Sequence, residues 1–549
     1  MTNYLRKNVW DSESGQPFKD STGNYNQLYW YAKAVQVMQS RSISDPTSWW
    51  FYAAIHGEFL LNPITDPNYL YLNWKNITYI PQAAGLNAPP SSNLTDLFWD
   101  QCQHGTWFFP PWHRGYLVAL EHILRGIIIN QYKGPEDWAL PYWNYLNQST
   151  ASAQSQIPPE FTVADLPDGT PNPLFVPERF GPDGNGNIYV QVGQDIQTDV
   201  TDECQWDTIY SETSPPPQPG PGDLFGYFYG GAETGFSHDG SEYGDLEMNP
   251  HNFVHGMVGG QSIANGNNGL MAVPPTAALD PVFYLHHSNI DRMWTAWNVT
   301  GKNNNATSAD WLNGPYAQGE RAFAMPLDSS GNPWCFGPGE VQQTTNIAYI
   351  GTVYSYTYDD LSLTSYDKTP PTPLHEVLTK RLINFGVTNL ERGIKMANNK
   401  TSELAGASSA PLSLNSGVTQ TTVKLHAPAW RSVEKSFLKA SVSNFPDEVY
   451  VQLEGVKGGN DANFLSLYVH DEFVKTVSLF GLLSATIKEA SHGNSGLNFK
   501  FNITKIVDEL HLNSNFSIDS LDIQIKTKNP IPEGHEITID RIGVYRLNK

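Results

Sequence analysis

Cysteine is scarce in this chain. Cys102, Cys204 and Cys335 are the only three in 549 residues, and their scatter excludes a disulfide framework. Sequons such as Asn76-Ile77-Thr78 therefore carry no expectation of glycosylation. Basic charge is also short: 33 Lys and Arg stand against 55 Asp and Glu, a formal net charge of -22. That balance argues against nucleic acid and anionic membrane surfaces as partners. No apolar run reaches the ~20 residues of a membrane span. The N-terminal MTNYLRKNVWDSE lacks the apolar segment of a leader, so a cytoplasmic location is expected, with secretion after leader removal left open. Internal repeats are absent too. What is present is 40% hydrophobic and 12% aromatic residue content with 45 Gly and 39 Pro, the mark of a sizeable core with long ordered loops.

Histidine placement is the strongest signal. The stretch CQHGTWFFPPWHRGYLVALEHILR sets His104 nine residues before His113, and Leu117, Leu120, Ile123 and Leu124 then share one helical face. HNFVH puts His251 and His255 at i and i+4, a spacing one metal ion can bridge. His286 and His287 open another helical pattern in DPVFYLHHSNIDRMW, and His56 lies within WWFYAAIHGEF. Two candidate groups of three imidazoles follow: His56, His104 and His113; His251, His255 and His287. A lone core histidine is usually packing, but six in this pattern are not. Imidazole-only coordination suits copper, zinc, iron or nickel without choosing among them.

PWHR, HNFVHG and DPVFYLHHSNIDRMW together resemble the type 3 copper family, which holds tyrosinases, catechol oxidases and, more distantly, haemocyanins. The likeness spans roughly residues 1–360 and includes NYLRKNVW near the start and the tyrosine-rich YIGTVYSYTYDD near the end. It implies two copper ions held by the six histidines, O2 as co-substrate, and small phenols as substrates. The implied activity is ortho-hydroxylation of monophenols and oxidation of o-diphenols to o-quinones. A catechol oxidase limited to o-diphenols, a haemocyanin-like oxygen carrier and an inert relative are the alternatives.

Other residues take roles by the same resemblance. Cys102 has the C-x-H spacing of a Cys–His thioether to His104; the alternative is a buried free thiol. Glu247 and Asn252 would orient a water that takes the phenol proton, or Glu247 is a solvated acid near a helix start. Asp291 would accept from a ligand imidazole or pair with Arg292. His286, pointing about 100° from His287 on a helix, suits packing or support rather than a seventh ligand, and His122 reads as an ordinary helix residue. Gly256 leaves room beside the second copper. Pro274 occupies the place of a gate residue, with Val273 or Pro275 as substitutes, so the entrance is expected to be open.

The expected architecture is a mainly α core, a four-helix bundle holding the metals, with a C-terminal all-β sandwich-like domain. Helices are expected around Leu28–Met38, from Ser48 to Leu61, from the Cys102 stretch to about Gln131, and around His251 and His287. An irregular insert with short strands fills 147–245. The domain boundaries read as 1–398 for the copper domain, 399–422 for a Ser/Ala/Thr/Gly linker, and 423–549 for strands of period two. The last part resembles the C-terminal domain of latent polyphenol oxidases. It is expected to lie over the active site until an activating protease cuts the linker, with Phe480 as a plug or as core packing.

Overall fold

The computed structural model describes residues 3–12, 16–57, 74, 84, 90–99, 101–147, 154–193, 197–211, 227–232, 235–236, 243–349, 352–363, 402–438, 446–487, 495–513 and 519–548. The chain divides into two compact units with the main boundary at Pro370.

The first unit is helical. Helix α1 (Gln27–Gln39) is capped by Asn26, whose side chain accepts from the Tyr29 amide. Its buried face carries Leu28, Tyr31, Val35 and Met38. Helix α2 (Trp49–His56) is capped by Ser48 and is buried along its whole length. After α3 (Ser92–Phe98) comes α4 (Phe109–Tyr132). Pro110 and Pro111 occupy the first turn of α4, where a missing N–H costs nothing. Lys133 ends it in the left-handed region.

Helix α5 (Asn252–Gly259) continues an irregular turn over Glu247–His251. The short α6 (Pro274–Ala277) precedes α7 (Val282–Val299), buried from Val282 to Trp297. Helices α2, α4, α5 and α7 carry His56, His113, His255 and His287, while His251 ends the turn before α5 and His104 lies before α4. Strand β1 (Asn3–Arg6) pairs in parallel with β5 (Thr352–Tyr358), which pairs antiparallel with β4 (Ile347–Tyr349). A small hairpin, β2 (Phe323–Pro326) and β3 (Pro333–Phe336), packs on α4. A Cβ at Gly115 would sit 2.0 Å from the Phe336 ring, so only glycine admits this approach.

Among the described residues the second unit is built on one antiparallel sheet of nine strands, with helices at Ala427–Leu438, Leu482–Thr486 and Thr504–Asn513. The strands are β6 (Ser402–Ala407), β7 (Leu412–Ser413), β8 (Val418–Leu425), β9 (Glu448–Lys457), β10 (Phe464–Val469), β11 (Glu472–Ser478), β12 (Leu497–Asn502), β13 (Ser520–Thr527) and β14 (Thr538–Leu547). Their order is β11-β10-β13-β8-β6-β14-β9-β12, with β7 beside β14. The two end strands approach each other, so the sheet curls like a barrel. Alternation is clean in β12, where Leu497, Phe499 and Phe501 point inward.

The β-rich C-terminal unit is as expected, and its sheet is barrel-like. Several expectations are corrected here. The stretch 399–422 is not a linker where it is described: β6, β7 and most of β8 lie in it and pair with β14 and β13. The fourth-helix start also moves, because Cys102–Phe108 is irregular and α4 begins at Phe109. Within 147–245 the described residues form short 3-10 turns and isolated bridges rather than strands. Residues 364–398 of the expected copper domain, 212–226 of the insert and the 58–61 end of the second expected helix lie outside the described residues.

Candidate metal centre

The first cluster gathers from three places. His56 is the last residue of α2, His104 lies in the irregular run before α4, and His113 sits in the second turn of α4. With Cys102 they form a buried group whose ligand atoms all fall within 4.8 Å of one another. His56 Nδ1 lies 3.1 Å from Pro274 O, and His113 Nδ1 lies 2.6 Å from Phe109 O, one turn back on its own helix. A ring nitrogen on a carbonyl must carry the proton, which leaves Nε2 as a bare lone pair.

His251, His255 and His287 form the second cluster, with His286 beside them. His255 Nδ1 lies 2.7 Å from Met271 O, and His251 Nδ1 lies 2.8 Å from Asn252 Oδ1. The three Nε2 atoms converge at 3.1, 3.3 and 3.5 Å. The two clusters adjoin: the rings of His113 and His287 stack with centroids 4.4 Å apart.

Four of these imidazoles, His113, His251, His255 and His287, are held neutral. Burial holds His113 down to about 3. It holds His251, His255 and His287 well below the ordinary value, with help from the neighbouring rings. The Nε2 lone pairs of His251 and His255 face each other at 3.1 Å, and burial opposes the protonation that would turn their repulsion into a hydrogen bond. A cation between them relieves it. The donor set therefore fits a metal in each cluster.

The surrounding residues sort themselves by what they touch. Cys102 Sγ lies 3.6 Å from His104 Nδ1 and 3.7 Å from His113 Nε2, and burial, then Glu247, pushes its thiol up. Glu247 is buried, not solvated, and both its carboxylate oxygens accept from the Gly105 amide, at 3.1 and 2.9 Å. That places an acid one residue from His104. Asp291 does not pair with Arg292. It accepts from Arg114 at 2.5 Å, Arg6 at 3.2 Å, Tyr356 at 2.6 Å and Tyr358 at 2.5 Å. Arg292 turns instead to Asn289 at 2.9 Å. His286 stacks on His251 at 5.3 Å, and His122 meets the Tyr349 hydroxyl away from both clusters.

Two residues escaped the sequence reading. Phe109 lies against His113 and His251, at 4.6 and 4.7 Å between centroids. Phe283 lies against His56 and His287, at 4.6 and 4.1 Å. Each precedes a cluster histidine by four residues on one helix, so the i−4 rule would have found both. Pro274 enters through its carbonyl rather than as a gate.

The long insert is not decoration. Arg179 grips Asp280 with two bonds of 2.6 Å at the entry to α7. The Gln191 amide reaches Met257 Sδ on α5 at 3.3 Å, and Asn249 is held between Asp199 O and the Thr201 amide.

Comparison with known proteins agrees with this geometry. Residues 46–300 match the family model described as the common central domain of tyrosinase. Residues 401–547 match one described as a domain of unknown function. The chain is 28% identical to tyrosinase HcTyr1 of Hahella sp. (strain CCB-MM4) over 98% of each chain. It is 33% identical to catechol oxidase B of Solanum tuberosum over 39% of this chain and 34% of that enzyme. The structure of a latent apple tyrosinase is similar with a TM-score of 0.54 at 19% identity, covering 100% of this chain and 98% of that one. The two buried histidine clusters are consistent with a binuclear copper site.

Proposed function

Since the chain belongs to the tyrosinase and polyphenol oxidase family of type 3 copper proteins, we propose that it is a tyrosinase-like phenol oxidase. It hydroxylates monophenols at the ortho position and oxidises o-diphenols to o-quinones with O2. The observation that carries this is the pair of adjoining buried clusters, in which backbone carbonyls meet Nδ1 of His56, His113 and His255 and the Nε2 atoms of His251, His255 and His287 converge.

His56, His104 and His113 would hold one copper, and His251, His255 and His287 the other. Copper held there would supply the redox chemistry between O2 and the phenol. The chain's own work is positional. Locked rings keep ligand lone pairs aimed inward, and Phe109 and Phe283 exclude water from the walls. Glu247 receives the phenol proton on a carboxylate oxygen through a water shared with the Asn252 amide, a role worth a factor of about 10²–10⁴. Gly256 leaves space for the ring. Cys102 is close enough to His104 for a thioether, whose formation removes the S–H and a ring C–H hydrogen with O2 as oxidant. A tryptic peptide lighter by two hydrogens would reveal it.

The narrower reading is a catechol oxidase. Asn252 Oδ1 accepts from His251 Nδ1, so the water that monophenol activity requires must be held by the amide NH2 group. Oxygen uptake by copper-loaded protein separates the two. Uptake with both a monophenol and a catechol supports the tyrosinase reading; uptake with the catechol alone leaves the catechol oxidase.

We also propose that the β unit keeps the enzyme latent. Support comes from a separate unit of its own and from the similarity in fold to the latent apple tyrosinase. Because β6 begins at Ser402, an activating cut belongs before residue 402 rather than in the 402–422 part of the expected linker. Clean cleavage there should raise activity at constant copper content; unchanged activity would end the idea.

A further inference from the structure

The segment Leu270–Ala277 touches both clusters. Met271 O holds His255 Nδ1 at 2.7 Å, and Pro274 O, three residues on, lies 3.1 Å from His56 Nδ1. One ring belongs to each cluster. The segment is also tied to itself: Thr276 Oγ1 lies 2.8 Å from Leu270 O and 3.2 Å from Val273 O. Outside it, the Trp74 indole N–H donates to Pro275 O at 2.8 Å, and the Leu270 amide donates to Glu178 O at 3.0 Å.

Two glycines let the helices reach this segment. A Cβ at Gly57, next to His56, would sit 2.9 Å from Pro274 O and 3.2 Å from Pro275 Cα. A Cβ at Gly259, four residues after His255, would sit 2.2 Å from the Ala272 amide. In both places the obstacle is backbone, which cannot swing aside as a side chain would. The carbonyl that would be displaced at Gly57 is the one His56 needs.

We propose that Leu270–Ala277 is a single clamp that orients one imidazole in each cluster. Gly57 is the positioning residue whose bare Cα lets the clamp close on His56. A shift at either end of so short and self-tied a segment moves the other, so the two metals are coupled through backbone. The inference rests on the copper reading above and adds to it a shared determinant of both sites.

The test is competitive copper titration of the metal-free full chain against a chelator of known affinity, for wild type, Gly57→Ala and Thr276→Val. Wild type should take up two copper ions. Loss of partners that orient metal-binding imidazoles typically costs about 10–100-fold in metal affinity. Both variants should weaken both ions by at least about 10-fold. Weakening of one ion alone overturns the shared clamp. So do wild-type affinities in a variant whose metal-free melting temperature has fallen, since that is a merely structural role. If Gly57→Ala does not fold, Thr276→Val decides by the same criteria, because it removes the tie without adding bulk. A wild-type chain that binds no copper sinks the proposed function along with the clamp. Two ions in wild type with unchanged variants sink the clamp alone.

Discussion

Arg6 and Asp291 stand 285 residues apart in sequence and meet as a buried ion pair at 3.2 Å. Arg6 also binds Glu121 on α4 at 2.6 Å, while Arg114 of α4 binds Asp291 on α7 at 2.5 Å. Tyr354 donates to Glu121, and Tyr356 and Tyr358 to Asp291. The first strand, the last strand of the unit and the two longest helices are thus joined by one charge network. Asp291 follows His287 by one helical turn, so the network also fixes the helix that presents His287.

Asp291→Asn should therefore destabilise the chain severely. Removing one partner leaves Arg6 and Arg114 buried with less compensation, a loss of about 3–5 kcal/mol. Denaturant unfolding of metal-free protein would measure it, and a loss well below 1 kcal/mol would contradict the role given to the network.

The same group sets an acid limit. Burial pushes the Asp291 carboxyl up, but Arg114, Arg6 and the two tyrosine hydroxyls together outweigh it and hold the carboxyl below the ordinary range. An unfolded aspartate titrates near about 3.9. Between the two values the unfolded chain binds a proton that the folded chain does not, so stability falls as pH falls. The contribution is complete above about pH 4 and is lost below it, through the folded value. Melting temperature should drop more steeply between pH 4 and pH 2, roughly, in wild type than in Asp291→Asn.

Much of this centre was legible beforehand because helices repeat every 3.6 residues. His251 and His255 share a face by spacing alone, and His287 opens an apolar pattern. The partner of Asp291 was not legible. Arg292 is adjacent in sequence but points about 100° away, and Arg6 reaches Asp291 only because β1 pairs with β5. Strands β6 and β8 hid for a different reason. In Val418–Leu425 the fully buried positions are Thr419 and Val423, four apart, so alternation is diluted by Thr and Gln at the intervening sites. A polar Ser/Thr run was read as flexible where pairing with β13 and β14 holds it.

Glu247→Gln keeps the shape of the side chain and removes its basicity. Monophenol turnover should fall by about 10²–10⁴ while catechol turnover falls far less, because the catechol reaction does not depend on the same proton transfer. Equal losses on both substrates would mean that Glu247 only holds the Gly105 loop.

Arg179→Ala would test whether the insert matters to the centre. It leaves Asp280 buried with its bidentate partner gone, at a cost of about 3–5 kcal/mol. Asp280 also accepts from the Val282 amide at 2.9 Å, where α7 begins. Arg179→Ala should therefore lower copper affinity as well as stability. A purely local loss, with copper affinity intact, would show that α7 keeps its position without the insert.

Phe283 offers the sharpest separation of packing from ligation. Its ring contacts His56 in one cluster and His287 in the other, yet carries no donor or acceptor. Phe283→Ala removes a fully buried ring and should cost about 3–5 kcal/mol. Phe283→Leu keeps most of the volume and should cost less, about 1–2 kcal/mol. If the ring merely fills space, copper affinity of the folded protein will be the same in both variants. Ring contacts on two ligands predict otherwise: affinity should fall in Phe283→Ala and recover largely in Phe283→Leu, because an aliphatic wall still limits imidazole rotation. Unchanged copper affinity in the folded alanine variant would leave orientation to the carbonyls alone.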